Sequence, residues 1–387
     1  ENGNRISSVG VGDDLLITNE HPLLIAKFEN VGILKHKNPP HRSSVKYKNI
    51  SKEDFEWISS DSVSPNDLAY APLVDFNIKQ TDLTDTEIEF LGYYAAEGDS
   101  RISTCCVRFS INENESSFAD RIRYLGLLLN ASSVTIRDNN RGGKSVEVYG
   151  KHLVELCQRI IPGKAVDKYL SEPILNLESI KFKHFFLSYV KGDGSYSGGF
   201  SDRIQCTSAS RNLIEQLYWK LTSLNINCTK WYGTQKGGPT NREKICNQYR
   251  LTLPKNSYDI LTNDSMPDIS KLRHWINDDN ISIKIRRISK EFYSGYVYNL
   301  EVEDNNTYIA NGLVVHNCVG GDTLMRYDVD AGRLQVPPAI IPKIPSELTD
   351  CSLLDPQSLG YKDTDILLRL RKLANLPEEH AAWKALD

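Results

Sequence analysis

Hydrophobic positions change their spacing along the chain. Up to about residue 82, short runs such as "LLITNEHPLLIAKF" and "FEWISSDSVSPNDLAYAPLV" combine β-branched and aromatic residues and are broken by Asn, Asp, Pro and Gly. This pattern predicts short strands. From Thr84 the apolar residues recur at helical spacing, and Thr84 with Glu87 forms a T-x-x-E capping box that predicts a helix start. Strand-type sequence returns at 296–315, so the helical block is predicted to be inserted into a β domain.

The helical block, from about 84 to 262, reads as two copies of one plan. Each copy has a helix ending in an acid and a glycine, then strand-like segments and an amphipathic helix. The first copy contains "EGDSRISTCCVRFSI" and "SFADRIRYLGLLLN", and the second contains "GDGSYSGGFSDRIQCTSA" and "LIEQLYWKLTSLNI". An internal repeat of roughly ninety residues predicts pseudo-twofold symmetry.

Composition places the chain among ordinary globular proteins. Its 387 residues, 40% hydrophobic and 25% charged, suit two or three domains. The sequence has neither a long apolar segment nor a basic, apolar leader at its start, so neither a membrane nor secretion is predicted. Eight scattered cysteines without CxxC pairs favour a reduced, intracellular protein. The net charge of −4 excludes attraction of the whole surface to nucleic acid, but allows a local basic patch.

One basic segment stands out, between Glu29 and Glu53, where no acid occurs. Six basic side chains accumulate there: Lys35, Lys37, Arg42, Lys46, Lys48 and Lys52. A solvated loop and a grip on DNA phosphates both fit this charge run.

Two acids occupy the same place in the two copies, Glu97 in "FLGYYAAEGD" and Asp193 in "FFLSYVKGDG". Small residues nearby, among them Gly92, Ser188 and Gly192, would let the two helix backbones approach closely. The helix ends would then place two carboxylates side by side. Such a pair is costly without a cation between the charges, and hard oxygen ligands suit Mg²⁺. The sequence therefore predicts a magnesium site formed by Glu97 and Asp193.

These two segments resemble the two dodecapeptide motifs of LAGLIDADG homing endonucleases. The resemblance implies a pseudo-symmetric αββαββα pair, a saddle of strands lying on DNA, and Mg²⁺-dependent double-strand cleavage by Glu97 and Asp193. The "GKAVDKYLSEPIL" segment is similar to a lysine block of that family, which implies that Lys168 aligns water or offsets phosphate charge. Lys230, in "CTKWYGTQKGG", is predicted to help hold DNA. Glu97 stands where Asp is commoner in the motif, and Ala95 stands where many copies have an acid. These departures leave a domain that only binds DNA as an alternative.

A His-Asn-Cys tripeptide, residues 316–318, ends the last strand-type segment. The Asn317 amide can attack its own carbonyl and break the following peptide bond if His316 protonates the leaving amine. The Cys318 sulfur can attack the preceding carbonyl and convert the amide into a thioester. Thr18 and His21, in "TNEHPLL", could lie over the scissile amide and distort or protonate it. These groups suit protein self-cleavage.

Together the "ITNEHP" block and the "VYNLEVEDNNTYIANGLVVHN" block resemble the splicing motifs of inteins, the self-splicing Hint-fold elements. The resemblance implies a β-rich Hint domain formed by residues 1–82 and 266–317, with the basic segment at 35–52 and the endonuclease domain at 83–265 inserted into it. Splicing would need no cofactor. The implied partners are flanking host-protein segments and double-stranded DNA of the host gene that lacks the insertion. A monomer is expected.

Residues 318–387 allow two interpretations. "CVGGDTLMRYDVDAGRLQ" resembles the N-terminal splicing block, with Cys318 as its nucleophile, so the natural order would be 318–387 followed by 1–317. Alternatively, this segment is downstream host protein.

Two rival functions of the whole chain also remain at this point. One is a Hint protein that only hydrolyses itself, as Hedgehog relatives do, which the terminal Asn317 disfavours. The other is a repressor-like DNA-binding descendant without catalysis.

Overall fold

The structure is a computed structural model, and it describes most of the chain up to residue 316. The ranges are 2–8, 11–12, 14–35, 44–112, 116–139, 143–197, 203–236, 245–254, 261, 275–276, 280–292, 307–316, 326–328 and 333–335. The chain divides into two compact units, the first formed by 1–8, 14–71 and 284–387 and the second by 9–13 and 72–283. The sequence predicted 83 and 265 as the limits of the inserted part. The observed limits lie further out on both sides.

The elements up to residue 72 are almost all strands. They are β1 Asn2–Ser8, β2 Val11–Gly12, β3 Leu15–Thr18, β4 Pro22–Ala26, α1 Phe28–Val31, β5 Gly32–Lys35, β6 Ser44–Tyr47, β7 Glu56–Ser59 and β8 Leu68–Pro72, with short 3-10 helices at Lys52–Asp54 and Ser60–Ser62.

Helices and strands alternate through the middle of the chain. They are α2 Asp85–Glu97, β9 Gly98–Arg101, β10 Cys106–Asn112, α3 Ser116–Leu128, β11 Ser133–Asn139, β12 Gly143–Tyr149, α4 Lys151–Ile160, α5 Glu172–Leu175, α6 Ser179–Asp193, β13 Gly194–Ser197, β14 Arg203–Ser208, α7 Arg211–Ser223, β15 Thr229–Lys236 and β16 Ile245–Pro254, with a 3-10 helix at Ile102–Thr104.

Strands return at the end. They are β17 Trp275–Ile276, β18 Asn280–Phe292, β19 Thr307–Ala310, β20 Leu313–His316, β21 Arg326–Asp328 and β22 Arg333–Gln335.

One antiparallel sheet organises the first unit, in the order β19-β20-β4-β8-β18-β1-β3, with β7 also paired to β4. Asn311 and Gly312 join β19 to β20, and their φ angles of 47° and 83° fit the two-residue type I′ turn that the right-handed strand twist favours. The Asn311 amide donates to the Asp14 carbonyl at 3.0 Å. In β20, Val315 pairs with Leu23 of β4, so strands from the beginning of the chain pair with strands that lie almost three hundred residues later.

The helix start predicted at Thr84 is confirmed. The Thr84 hydroxyl accepts from the Glu87 backbone N–H at 3.2 Å, and the Glu87 carboxylate accepts from the Thr84 N–H at 2.8 Å. This reciprocal cap satisfies two of the donors that a helix N-terminus leaves without partners. Beyond it, α2 continues to Glu97, and the Gly98 N–H donates to the Tyr94 carbonyl.

The second unit contains the predicted repeat. The first copy runs α2-β9-β10-α3-β11-β12-α4, and the second runs α6-β13-β14-α7-β15-β16. The sheets have matching strand orders, β9-β10-β12-β11 and β13-β14-β16-β15, and β2 adds a parallel edge strand to the second. The same connectivity in both copies gives the αββαββ plan twice in one chain.

Both sheets of this unit have one apolar and one polar face. In β10 the side chains of Val107, Phe109 and Ile111 are buried against the helices, whereas Ser110 and Asn112 between them are exposed. In the second sheet, Leu251 and Leu253 of β16 are buried in the same way. Because strand side chains alternate, the opposite face of each sheet carries polar residues. Among the described residues, none of the helices has the length and apolar character that a membrane crossing requires.

Candidate functional site

The helices α2 and α6 approach each other as closely as the small residues predicted. A Cβ atom added to Gly92 would lie 2.4 Å from the Phe185 carbonyl oxygen and 2.7 Å from the Ser188 Cβ. A Cβ atom on Gly192 would lie 2.6 Å from the Ala96 Cβ. Such distances leave no space for a side chain at either glycine. The close packing fixes the C-terminal ends of the two helices side by side.

The two predicted carboxylates lie at these helix ends and affect each other. Glu97 is the last residue of α2, and Asp193 is the last residue of α6. The position of a Cβ on Gly192 is 3.8 Å from the Glu97 Cγ. The Tyr189 hydroxyl donates to the Asp193 carboxylate at 3.2 Å. Burial first, and the Glu97 charge second, raise the pKa of Asp193 to about 7.

This arrangement fits a divalent cation. A carboxyl group whose pKa is raised by burial and by a second carboxylate gains from a cation that offsets both negative charges. Carboxylate oxygens are hard ligands that suit Mg²⁺. Within the part of the chain that the structure describes, no group of three or more His, Cys, Asp or Glu side chains could hold a metal. Glu97 and Asp193 would therefore hold the ion together with water or phosphate oxygens.

The raised pKa of Asp193 predicts a pH dependence of stability. The ordinary value is 3.8 and the folded value is about 7, so the folded protein binds this proton more tightly than the unfolded chain. Without metal, this group's contribution to stability is complete below about pH 4 and is lost as the pH rises through 7. Asp193→Asn should therefore stabilise the metal-free protein at pH 8 by about 1–3 kcal/mol, and by almost nothing at pH 4. Urea denaturation in EDTA at both pH values measures the difference.

A control with an exposed carboxylate uses Asp120→Asn on α3, which should change stability equally at both pH values. The prediction would be contradicted if wild type and Asp193→Asn lost the same free energy of unfolding between pH 4 and pH 8.

Lys168 lies at this site, but its amine faces the end of α2. The side chain is buried, and its Nζ donates to the carbonyl oxygens of Tyr94 at 2.9 Å, Ala95 at 3.3 Å and Gly98 at 2.8 Å. A lysine ammonium has three N–H donors, and these contacts use all three. Burial lowers the pKa of Lys168 to about 8, against the opposite influence of Cys157 and the nearby carboxylates.

This differs from the predicted role, in which Lys168 aligns water or offsets phosphate charge. In the structure the lysine caps the last turn of α2, the turn that carries Glu97. A cation at a helix C-terminus also stabilises the negative end of the helix dipole. The backbone of Lys168 is held as well, because the Ser210 hydroxyl donates to its carbonyl at 2.5 Å. Lys168 therefore acts through the position of α2.

Lys168→Met should destabilise the protein by about 1–3 kcal/mol, because the end of α2 would lose three hydrogen bonds from a buried ammonium. Lys164→Met, at an exposed position in the same loop, is the matched control and should change stability by less than about 0.5 kcal/mol. Denaturation by urea at pH 7 compares the two variants. Equal stability of Lys168→Met and wild type would show that the amine does not support the helix end.

In the first unit, the structure brings Thr18, His21 and His316 to one end of the sheet. The Thr18 hydroxyl lies 2.7 Å from the His21 Nδ1, and His21 is buried directly before β4. Val315 of β20 pairs with Leu23 of β4 in antiparallel register, so His316 lies alongside the residue that follows His21. The ring of His316 packs edge-on against the Trp57 ring, with centroids 5.0 Å apart.

The turn that carries Thr18 and His21 is fixed by hydrogen bonds to Ser60. The Ser60 N–H donates to the His21 carbonyl at 3.0 Å, and the Ser60 hydroxyl donates to the Thr18 carbonyl at 2.7 Å. Ser60 lies outside the sequence motifs that predicted this site. Asn317 and Cys318 lie outside the described residues, as does nearly all of 318–387, so the two interpretations of that segment stay open.

The predicted basic segment is described only in part. Lys37 and Arg42 lie outside the described residues. Lys35 is on β5 and Lys46 is on β6, which form a two-stranded antiparallel hairpin with the register Gly32↔Tyr47 to Lys35↔Ser44. The Lys48 amine lies 3.0 Å from the Asp54 carboxylate, which reduces the local positive charge. Lys52 is exposed in the following 3-10 helix.

Lys230 does not fit the predicted contact with DNA. Its side chain is only 4% exposed, and its amine binds the Glu215 carboxylate. The same amine lies over the rings of Tyr218 and Trp219, 4.7 and 5.0 Å from their centroids. A lysine that is buried, paired and covered by aromatic rings has no free charge for a phosphate. Strand β15 turns this side chain inward, and Trp231 beside it faces outward, 45% exposed.

The polar faces of the two sheets carry residues that the sequence analysis did not identify. Arg108 of β10 lies 3.6 Å from Asp99 of β9, and Arg137 of β11 lies 3.4 Å from Glu147 of β12. In the second sheet, the Arg250 guanidinium lies 4.9 Å from the centre of the Trp231 ring. The period-two alternation of "CVRFSIN" is the signal that could have indicated which side chains share this face.

Comparison with known proteins gives partial matches. No family model matches the chain. An uncharacterized protein of Methanocaldococcus jannaschii is 25% identical and covers 79% of this chain and 43% of its own length. An iron-sulfur cluster assembly SufBD family protein of Mycobacterium tuberculosis is 24% identical over 78% of this chain and 35% of its own length. An ATP-dependent DNA helicase of Thermococcus kodakarensis is 26% identical over 59% of this chain and 21% of its own length. The chain spans less than half the length of these relatives.

Solved structures of LAGLIDADG proteins match about half of the chain. The homing endonuclease I-WcaI bound to its DNA recognition sequence has a TM-score of 0.33 and 14% identity, and covers 48% of this chain and 82% of that chain. The N-terminal LAGLIDADG domain of WhiA has a TM-score of 0.29 and 15% identity, and covers 46% of this chain and 80% of that chain.

Proposed function

We propose that the second unit binds double-stranded DNA and cleaves it with the help of Mg²⁺. The observation that carries this proposal is the pair of carboxylates, Glu97 and Asp193, at corresponding ends of two helices whose glycines allow close contact. The polar sheet faces with their arginines support it further, since arginine contacts DNA phosphates and base edges.

Each residue has a separate task in this proposal. Glu97 and Asp193 would hold the cation, which supplies a polarised water and neutralises the charge of the leaving oxygen when bound. The Tyr189 hydroxyl orients the Asp193 carboxylate. Lys168 holds the end of α2 and therefore the backbone from which Glu97 projects. Arg108 and Arg137 of the first sheet would hold phosphates beside the scissile bond.

The test uses a library of randomised double-stranded DNA, incubated with the full chain in Mg²⁺ or in EDTA. Sequencing of bound and of newly cut molecules reads the two activities separately. We expect cut molecules in the Mg²⁺ incubation and none in the EDTA incubation. Binding without cutting would select the alternative that this domain only binds DNA, and neither binding nor cutting would refute both.

We further propose that the first unit is a splicing element of the intein type, through which the chain cleaves a peptide bond at the Asn317–Cys318 junction. Two observations support this second function. Thr18, His21 and His316, which the splicing chemistry needs together, lie at one end of one sheet. The relatives have unrelated names, and each is matched over less than half of its length, as expected for an element carried within different host proteins.

In this proposal the Asn317 side-chain nitrogen attacks its own main-chain carbonyl carbon. A succinimide forms, the bond to the Cys318 nitrogen breaks, and the leaving amine takes a proton that His316 would supply. The hydrogen bond between Thr18 and His21 fixes the imidazole ring of His21. The partners of this chemistry are the host segments that flank the element.

Intact-mass analysis of freshly folded protein tests the splicing proposal. Fragments 1–317 and 318–387 are the expected products, and an unbroken chain under reducing conditions would contradict it. A thiol reagent added to Asn317→Ala then separates the two interpretations of 318–387. Release of 1–317 as a thioester would identify Cys318 as the acyl-shift nucleophile of a rearranged element. A chain that stays intact would indicate downstream host protein.

A further inference from the structure

Four residues form a square on the polar face of the second sheet. Trp231 and Gly233 follow each other on the same face of β15, and their partners on β16 are Arg250 and Gln248. The register pairs Trp231 with Arg250 and Gly233 with Gln248. Because side chains alternate along a strand, all four positions point to the side opposite the buried Leu251.

The Trp231 indole lies flat over Gly233. A Cβ atom added to Gly233 would lie 2.1 Å from the Trp231 Cη2 and 2.3 Å from its Cζ2. Any side chain at this position would therefore displace the ring. The indole is 45% exposed on a face that is otherwise polar. Glycine here makes room for a tryptophan that does not belong to the core.

The indole and Gln248 together orient Arg250. The Arg250 guanidinium carbon lies 4.9 Å from the centre of the Trp231 ring, and its Nη2 donates to the Gln248 Oε1 at 3.2 Å. The ring contact and the hydrogen bond together restrict the orientation of the guanidinium. Arginine loses side-chain freedom when it binds, and this cost is lower when the orientation is fixed beforehand.

We propose that Arg250, positioned by Trp231, reads a guanine in the DNA that the second sheet contacts. The proposal rests on the DNA binding proposed above and adds a specific base contact to it. The bond to Gln248 uses one of the five N–H donors of the guanidinium, and a planar pair of the other four matches the O6 and N7 acceptors that guanine presents in the major groove. A lysine could not replace it, because an ammonium has no planar pair of donors.

The test selects binding sites from randomised double-stranded DNA with the full chain in EDTA, so that no molecule is cut. Arg250→Ala should lose the preference for guanine at one position by about 10- to 100-fold and keep the preferences elsewhere. Gly233→Ala should give the same local loss, because the added methyl group displaces the indole that orients Arg250, although Arg250 itself is unchanged. Trp231→Phe should retain part of the preference. Arg123→Ala, on the exposed surface of α3, is the matched control.

The outcomes separate this inference from the function on which it rests. A wild-type protein that selects no sequence at all would contradict the proposed DNA recognition. A wild type that selects sites, together with an Arg250→Ala variant that keeps every guanine preference, would overturn the role of Arg250. Uniform weakening on all sequences with a smaller salt dependence would also overturn it, since that result identifies a phosphate contact. Circular dichroism checks that each variant is folded.

Discussion

Replacement of Asp193 by Asn is expected to abolish DNA cleavage and to leave DNA binding within about twofold. The proposed cation depends on two carboxylates, and an amide in place of one removes a negative ligand. Loss of a metal that activates water and stabilises the leaving group raises the barrier by several kcal/mol, so the cleavage rate should fall by about 10³-fold or more. The Asn side chain has nearly the same shape, and Asp193 is the last residue of α6, directly before β13, so it does not belong to the polar sheet face.

The measurement compares single-turnover cleavage and equilibrium binding on a site selected from the library. Glu97→Gln should behave in the same way, because Glu97 occupies the corresponding position on α2. Asp120→Asn, an exposed carboxylate on α3, should cleave at the wild-type rate. Cleavage by Asp193→Asn at a rate within tenfold of wild type would exclude the carboxylate pair as the metal site.

Asn317→Ala is expected to stop the release of 318–387 completely, since alanine has no side-chain nitrogen that could attack the carbonyl. His316→Ala should slow the same step by about 10²- to 10⁴-fold, the usual contribution of a positioned proton donor. His21→Ala tests the remaining part of the site. It removes the imidazole that Thr18 contacts at 2.7 Å, and it should slow cleavage without separating β4 from β20.

Time courses of intact mass after refolding give these rates. His152→Ala, a histidine on α4 in the other unit, is the control and should splice normally. Release of the fragment from Asn317→Ala at the wild-type rate would contradict the proposed cyclisation. The two chemistries are also expected to be independent. Asp193→Asn should still cleave its own chain, and His21→Ala should still cut DNA.

Local sequence patterns predicted the parts of the fold that local interactions determine. The capping box at Thr84 and the helical spacing after it needed no knowledge of the rest of the chain. The small residues on α2 and α6 were informative because backbone contact depends on residue size alone. Glu97 and Asp193 could be paired because the repeat placed them at equivalent positions.

The environments of the two lysines could not be predicted in this way. Lys168 and Lys230 are typical surface residues by type, and their burial depends on distant partners. The Lys168 amine contacts carbonyl oxygens 70 to 74 residues earlier, and Lys230 binds Glu215 on the preceding helix. The second compact unit includes the residues from 72 up to α2 for a similar reason. The extended segment before α2 is held by a long-range bond, from the Lys79 N–H to the Asn176 carbonyl at 3.0 Å.

The two αββαββ copies within one chain have a consequence for molecular recognition. Two identical subunits related by a twofold axis must present identical surfaces, and they match inverted-repeat sequences. Here each copy can change alone, and the faces have already diverged. One carries Arg108 and Arg137 beside acids, and the other carries Arg250 beside a tryptophan. A duplex bound by these two faces has no need to be palindromic, and each half of the target can drift separately from the other.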